Sequence, residues 1–220
     1  DGAIVAYPHG ASAPVVAELR AAGVPVVDLS ADFRLSDQAV YEQWYVPHSA
    51  PELLAGAVYG LPERNREQIK GAGLVANPGC YPTASVLALA PLAPFISDVV
   101  IDAKSGVSGA GREASAVTHF VSVDENVRPY GVGQHRHMPE IDQELALAGA
   151  RELTVTFTPH LVPLDQGELV SCYVTLNEQV DIDALYREAY GGERFVEVVD
   201  HLPGVREVRG TNLCRINVSI

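Results

Sequence analysis

Cysteine is scarce in this sequence, since 220 residues contain only Cys80, Cys172 and Cys214, and no pair has the Cys-x-x-Cys spacing. An odd and sparse set of this kind argues against a disulfide framework and against a zinc knuckle. We therefore expect reduced thiols, as is usual in the cytoplasm, where we expect the protein to act.

Basic residues are also few, because 15 Lys and Arg stand against 28 Asp and Glu and leave a formal net charge of −13. This balance offers no basic patch for a nucleic-acid backbone or an anionic membrane surface. No apolar run reaches the roughly 18 residues that cross a bilayer, and no signal-peptide pattern is visible. The sequence thus predicts neither a nucleic-acid partner nor a membrane partner.

The first third of the chain alternates short β-branched runs with helical segments. The predicted strands cover residues 3–7, 24–28 and 73–76, and the predicted helix covers residues 12–22. Ser12 is expected to cap that helix. This βαβ order predicts a mostly parallel sheet with helices on its faces, whose ligands lie at the carboxyl ends of the strands. Residues 8–10 and 30–34 occupy those ends.

Longer strands follow in the rest of the sequence, with two helices among them. The predicted strands cover residues 99–105, 152–158, 168–177 and 212–220, and the predicted helices cover residues 139–148 and 183–190. This order predicts an α+β domain with a partly antiparallel sheet. We therefore expect two domains, residues 1–80 and 81–220.

Cys80 occupies the most informative position in the chain. A Pro78-Gly79 turn ends an apolar strand and places the thiol at the start of an apolar helix. The first amides of a helix have no intrahelical partner, and the positive end of the helix dipole favours a thiolate there. The alternative is a small buried apolar residue, which is how an unreactive cysteine usually behaves. The turn before Cys80 favours a nucleophile.

Two histidines, His135 and His137, precede a helix whose start is marked by Pro139 and Glu140. Histidine is the side chain best suited to move protons near neutral pH. In an extended loop the two rings would point to opposite sides, so we expect one of them to face the thiol. Glu140 can orient the nearer ring, which favours His137. The alternatives are two surface histidines, or a metal site, for which a further ligand at suitable spacing is lacking.

A glycine-rich run, Ser105-Gly-Val-Ser-Gly-Ala-Gly-Arg112, follows a predicted strand. Its small residues, among them Ser108 and Gly109, let backbone amides approach an anion, and Arg112 can add a bidentate contact to a carboxylate or phosphate. A plain strand-to-helix turn would have a similar sequence. The run therefore indicates an anion site only in combination with the cysteine and the histidines.

Five runs together resemble the N-acetyl-γ-glutamyl-phosphate reductases of arginine biosynthesis, a family of the semialdehyde dehydrogenase type. The runs are Asp28-Leu-Ser-Ala-Asp-Phe-Arg-Leu35, Tyr59-Gly-Leu-Pro-Glu63, Asn77-Pro-Gly-Cys-Tyr-Pro-Thr-Ala84, residues 105–112 and residues 135–141. The cysteine and paired-histidine runs are highly specific in combination. The family's amino-terminal glycine-rich fingerprint and its carboxyl-terminal segment have no counterpart, so we expect an internal fragment.

This resemblance implies a fold and a reaction. The fold is the second half of a Rossmann-like parallel sheet followed by a mixed-sheet catalytic domain. The implied substrate is a small-molecule acyl phosphate, the implied cofactor is NADP(H), and the implied assembly is a homo-oligomer. In such enzymes a cysteine thiolate displaces phosphate, and hydride from NADPH then reduces the thioester to an aldehyde.

The resemblance also implies roles for single residues. Cys80 is the nucleophile and His137 the acid/base, while His135 and Glu140 support them and Asn77 helps the Cys80 amide to hold the oxyanion. The substrate contact is Arg112, and the cofactor contacts are Pro8, His9, Gly10, Ser108 and Gly109. Three alternatives stay open: a related acyl-phosphate reductase of lysine biosynthesis, a cysteine acyl hydrolase without nicotinamide, and an inactive folded fragment.

Overall fold

The computed structural model describes residues 1–111 and 113–219. The chain divides into two units, Asp1–Thr83 and Ala84–Ile220. Across the described ranges, no helix combines the length and the apolar character that crossing a bilayer requires.

The first unit is built around a parallel sheet. Its strands are β1 (Ala3–Val5), β2 (Val26–Asp28), β3 (Ala57–Tyr59) and β4 (Leu74–Ala76), in the spatial order β1-β2-β4-β3. Its helices are α1 (Ser12–Ala21), α2 (Gln38–Trp44), α3 (Pro62–Ile69) and the first turn of α4 (Cys80–Leu89), with a 3-10 helix over Pro51–Gly56. All of these strand pairs are parallel, so the strands end at the same edge, which confirms the predicted parallel sheet.

The core of this unit lies between the sheet and α1. Val5, Val26 and Leu74 from adjacent strands pack in one cluster with Val16 of α1 and with Phe33. Burying an apolar side chain of this size stabilises the fold by about 1.5 to 3 kcal/mol. Phe33 thereby anchors the loop after β2 to the core.

Ser12 does not cap α1, so the sequence prediction is wrong at this point. The capping position is Ala11, which makes no side-chain bond, and Ser12 is the first helical residue. The Asp32 carboxylate caps the helix instead, because it accepts hydrogen bonds from the amides of Gly10, Ser12 and Ala13 at 2.7, 3.1 and 3.0 Å. This cap comes from 20 residues further along the chain, beyond the reach of a local capping rule.

The second unit contains a mixed sheet and a separate two-stranded parallel sheet. The mixed sheet consists of β5 (Ile96–Ser105), β6 (Arg128–Pro129), β7 (Thr154–Leu161) and β8 (Glu168–Leu176), in the order β6-β7-β5-β8, and the small sheet pairs β9 (Val196–Val198) with β10 (Cys214–Ile216). The helices are α5 (Phe120–Val123), α6 (Met138–Leu147), α7 (Ile182–Tyr190) and α8 (Val205–Val208), with 3-10 helices over Ala90–Phe95 and Val107–Ala110. β5 pairs parallel with β7 and antiparallel with β8, so the sheet is partly antiparallel, as predicted.

The carboxyl end of the sequence differs from the prediction. The strand expected over residues 212–220 is only β10, and its partner β9 has no counterpart among the predicted strands. Both strands have only three residues.

The carboxyl end of α4 is tied to α7. The hydroxyl of Tyr186 donates to the carbonyl of Ala88, and the hydroxyl of Tyr190 donates to the carbonyl of Leu87. Carbonyls in the last turn of a helix have no intrahelical donor, so these tyrosines supply what the helix lacks. Burial raises the pKa of Tyr186 well above its ordinary value, which keeps the hydroxyl protonated as a donor.

The mixed sheet has one covered and one open face. Along β5, the buried residues Val99, Ile101 and Ala103 alternate with more exposed ones, as expected for a sheet packed on one side. Phe157 of β7 lies opposite Ile101 on the covered face. The segment around His135 packs on this covered face, as the distance of 5.3 Å between the ring centroids of His135 and Phe157 shows.

Candidate active site

Cys80 is the first residue of α4, as the sequence predicts. β4 ends at Ala76, and the buried Pro78 and Gly79 form the turn between strand and helix. Thr83 fixes the first helical turn, because its amide and its hydroxyl both donate to the carbonyl of Gly79, at 3.0 and 2.8 Å. Cys80 itself is exposed, so it is not a small buried core residue. The arrangement presents a thiol at the amino end of a helix.

Asn77 lies at the carboxyl end of β4 and is part of the same turn. Its amide donates to the carbonyl of Asp28 at 2.8 Å, and its side-chain Nδ2 donates to the carbonyl of Pro78 at 3.1 Å. These bonds connect the end of β4 with the end of β2 and order the backbone directly before Cys80. Asn77 and Cys80 are thus brought together, three residues apart, in one fixed turn.

Arg34 reaches into this turn, although the sequence analysis gives it no role. Its side chain is buried, with 6% exposed, and its Nε donates to the carbonyl of Asn77 at 2.7 Å. One terminal nitrogen donates to the carbonyl of Leu29 at 2.9 Å. The only sequence signal for Arg34 is its place in the run over residues 28–35, and that signal does not reveal the contact.

Two buried carboxylates, Asp28 and Asp32, hold the loops at the same edge of the sheet. Asp28 accepts from the hydroxyls of Ser12 and Ser30. Asp32 caps α1 as described above and also accepts from the hydroxyl of Tyr41 at 2.8 Å. Because every one of these donors is an amide or a hydroxyl, the carboxylates order the loops after β1 and β2.

The loop over residues 8–10, expected to contact a cofactor, follows β1 at this edge. Pro8 and His9 are exposed, and His9 Nδ1 accepts from the amide of Ala31 at 2.9 Å. Gly10 has φ +82, and a Cβ there would lie 2.7 Å from Val46, so a larger residue does not fit. The first amides of α1 already bind Asp32, which leaves them unable to hold a pyrophosphate.

The two histidines do not point to opposite sides, contrary to the sequence prediction. Their ring centroids are 4.8 Å apart, because residues 131–137 form turns rather than an extended loop. His137 is the residue that precedes α6, and its amide donates to His135 Nδ1 at 3.1 Å. His135 Nδ1 is therefore an acceptor, which requires a neutral ring at that nitrogen.

Burial, together with the smaller effect of the nearby Arg136 charge, lowers the pKa of His135 from 6.5 to about 4. The ring also contacts those of Tyr130 and Phe157, at centroid distances of 5.4 and 5.3 Å. A histidine with so low a pKa is neutral near pH 7 and is a poor proton donor. His135 thus orders the backbone of His137.

Glu140 lies in the first turn of α6 with 1% of its surface exposed, and Glu144 lies one turn later with 2% exposed. Both carboxyl groups face the interior of the second unit rather than solvent. Glu144 is not among the residues predicted from the sequence, although its spacing of four residues from Glu140 places the two on one helix face.

The glycine-rich run forms a tight turn after β5. Ser108 donates both its amide and its hydroxyl to the carbonyl of Asp165, at 3.1 and 2.7 Å, and the Gly109 amide donates to the carbonyl of Gly106. Both residues are exposed. Arg112, the predicted substrate contact, lies outside the described residues. The predicted site residues fall in both units, with the group around Cys80 in the first and the histidines, Glu140 and this turn in the second.

Two family models match this chain. The model described as "Semialdehyde dehydrogenase, NAD binding domain" matches residues 1–72, and the one described as "Semialdehyde dehydrogenase, dimerisation domain" matches residues 80–220.

Curated relatives match over nearly the whole chain. An N-acetyl-gamma-glutamyl-phosphate reductase from Desulforudis audaxviator is 53% identical over 228 residues, which cover 99% of this chain and 66% of the relative. The protein of the same name from Moorella thermoacetica is 48% identical and is covered to 65%. The chain thus spans about two thirds of the length of these relatives.

Solved structures share the fold. The crystal structure of aspartate semialdehyde dehydrogenase II from Vibrio cholerae matches 97% of this chain and 68% of its own, with a TM-score of 0.72 and 18% identity. The aspartate semialdehyde dehydrogenase with NADP from Candida albicans matches 94% of this chain and 64% of its own, with a TM-score of 0.62 and 14% identity.

Proposed function

Because this chain belongs to the semialdehyde dehydrogenase family, we propose that the protein containing it reduces N-acetyl-γ-glutamyl phosphate to N-acetylglutamate semialdehyde, with NADPH as the reductant and phosphate as the leaving group. The exposed Cys80 at the amino end of α4 carries this proposal. The names of relatives about 50% identical to the chain support the choice of substrate.

In the first step, the thiolate of Cys80 attacks the acyl carbon of the substrate. The new carbon–sulfur bond forms while the carbonyl π electrons move onto oxygen, and collapse of this tetrahedral intermediate breaks the carbon–oxygen bond to phosphate, which leaves with its electron pair. The amide of Cys80 and the side chain of Asn77 are proposed to stabilise the oxyanion of the tetrahedral intermediate. The fixed turn before α4 supports this role, because preorganised donors do not have to rearrange during the reaction.

His137 is proposed as the general acid/base. Its backbone is held by His135, whose ring stays neutral because of its low pKa. His135 therefore supports His137 and does not replace it. Glu140, buried in the first turn of α6, remains the proposed support for the His137 ring. The proposed cofactor contacts in this unit are the exposed Ser108 and Gly109. The proposed substrate contact is Arg112.

NADPH, when bound, supplies the hydride that reduces the thioester. Pro8, His9 and Gly10 are proposed to hold its nicotinamide end, because they are located at the carboxyl end of β1 in a parallel sheet. Since Asp32 occupies the first amides of α1, the pyrophosphate must be bound by another part of the protein. The match of residues 1–72 to a NAD binding domain supports a nicotinamide dinucleotide as the cofactor.

The open face of the mixed sheet is proposed to pack against a second copy of the protein. Val100 and Tyr173 are paired neighbours on this face, with 37% and 64% exposed, and Leu169 is 40% exposed. Exposed apolar side chains on one sheet face favour association. The match to a dimerisation domain supports a homo-oligomer. Tyr173→Glu is expected to shift the oligomer toward monomer in sedimentation velocity.

The reaction can be tested in reverse. Incubating the protein with N-acetylglutamate semialdehyde, phosphate and NADP⁺ should produce NADPH, and the rate should vanish without phosphate and in Cys80→Ser. A higher rate with aspartate semialdehyde would show that the substrate assignment is wrong. Release of N-acetylglutamate from the acyl phosphate without consumption of NADPH would instead indicate a cysteine acyl hydrolase.

A further inference from the structure

We propose that Arg34 is a positioning residue that fixes the turn over residues 77–80 and keeps the Cys80 thiol reactive. This inference rests on the assignment of Cys80 as the nucleophile in the proposed function. It assigns to Arg34 a role in the free protein, before any substrate is bound.

The observation behind it is a buried guanidinium that bridges two strand ends. Arg34 donates from Nε to the carbonyl of Asn77 and from a terminal nitrogen to the carbonyl of Leu29, at 2.7 and 2.9 Å. Leu29 directly follows β2 and Asn77 directly follows β4, and these two strands are paired in the sheet. The guanidinium therefore connects the start of the turn over residues 77–80 to the end of the neighbouring strand β2.

An arginine suits this position because its nitrogens lie in a rigid plane. Two donors of one guanidinium reach two carbonyls with fixed geometry, whereas a lysine offers a single nitrogen on a flexible stem. Bonds from a charged donor are also stronger than bonds between neutral groups. Fixing the Asn77 carbonyl constrains Pro78 and Gly79, and these set where α4 begins and where its first amides point.

The charge of Arg34 adds a second effect. With 6% of its surface exposed, the side chain is screened little by solvent and salt. A positive charge in a poorly screened environment favours the anionic form of an acid nearby. The buried carboxylates of Asp28 and Asp32 lie at the same edge of the sheet and share this charge, so the inference about Cys80 rests on the position of the turn.

The test is the pH profile of Cys80 alkylation by limiting iodoacetamide, followed on the Cys80 peptide by mass spectrometry. The variants are Arg34→Lys, which keeps the charge but loses the planar donors, and Arg34→Met, which loses both. Arg20→Lys is the matched control, because Arg20 also donates to a backbone carbonyl, that of Val24, in the same unit. Circular dichroism reports whether each variant is folded.

In Arg34→Met, alkylation at pH 7 should slow by about 10- to 100-fold, and the pH of half-maximal rate should rise. Arg34→Lys should slow alkylation with a smaller rise in that pH, and Arg20→Lys should match the unaltered protein. If Arg34→Met does not fold, Arg34→Lys decides. A profile in the folded Arg34 variants equal to that of the unaltered protein would overturn the role of Arg34 alone. An unaltered protein whose Cys80 is not preferentially alkylated would overturn both this inference and the proposed nucleophile.

Discussion

The substitution Asp32→Asn tests whether a buried carboxylate holds the first unit together. Oδ1 of Asp32 accepts from the Gly10 amide at 2.7 Å and the Tyr41 hydroxyl at 2.8 Å. Oδ2 accepts from the amides of Ser12 and Ala13 at 3.1 and 3.0 Å. An asparagine has an NH₂ group in place of one oxygen, so either orientation makes at least one buried amide face another donor.

The size of the effect follows from these contacts. A buried donor without an acceptor costs about 1 to 3 kcal/mol. Removing the negative charge also removes a favourable interaction with the amino end of α1, which contributes about 0.3 to 1 kcal/mol. Asp32→Asn should therefore lower the free energy of unfolding of the first unit by about 1.3 to 4 kcal/mol.

Asp37→Asn provides a matched control. Asp37 also caps a helix, since its carboxylate accepts from the amides of Ala39 and Val40 at 2.7 and 3.2 Å, but it is exposed. Asparagine caps helices about as well as aspartate, so this change should stay within about 0.5 kcal/mol.

Urea unfolding followed by tryptophan fluorescence measures both variants. The single tryptophan, Trp44, is the last residue of α2, so the signal reports the first unit even if the two units unfold separately. Equal midpoints for Asp32→Asn and Asp37→Asn would refute the importance of the buried cap.

Three further predictions concern the histidines and the thiols. His137→Asn should lower turnover by about 100- to 10,000-fold, and by more than His135→Asn does, whereas equal small losses would show that neither transfers the proton. Because burial lowers the pKa of His135 in the folded state from 6.5 to about 4, the unfolded state takes up the proton first as the pH falls. The resulting stability is present above pH 6.5 and is lost between pH 6.5 and 4. His135→Asn should flatten that part of the pH dependence of the urea midpoint measured by circular dichroism, which also reports the second unit, where His135 lies; an ordinary pKa for His135 in an NMR titration would contradict this. Limiting iodoacetamide should label Cys80 before Cys172, since burial raises the pKa of Cys172 to about 12, and preferential labelling of Cys172 or Cys214 would count against the nucleophile.

The sequence was sufficient for features that depend on neighbouring residues. The start of α4 at Cys80 follows from the Pro78-Gly79 turn, and the start of α6 follows from Pro139 and Glu140, so both are found locally. The parallel and mixed sheets follow from the order of the strands.

Features that depend on distant residues could not be predicted in this way. The cap of α1 by Asp32 and the contact of Arg34 with Asn77 join residues 20 and 43 positions apart, and no local pattern encodes them. The contact between the rings of His135 and His137 depends on turns whose dihedral angles a pattern of two histidines does not specify. The low pKa of His135 follows in turn from its burial beside Phe157.

The most direct test of the central claim is to trap the acyl group on the enzyme. The protein is incubated with N-acetyl-γ-glutamyl phosphate in the absence of NADPH, quenched in acid, and digested for peptide mass spectrometry. We predict an N-acetylglutamyl thioester on Cys80 that is absent in Cys80→Ser and disappears when NADPH is added before the quench. An acyl group on any other residue, or NADPH-dependent aldehyde formation that persists in Cys80→Ser, would contradict the account.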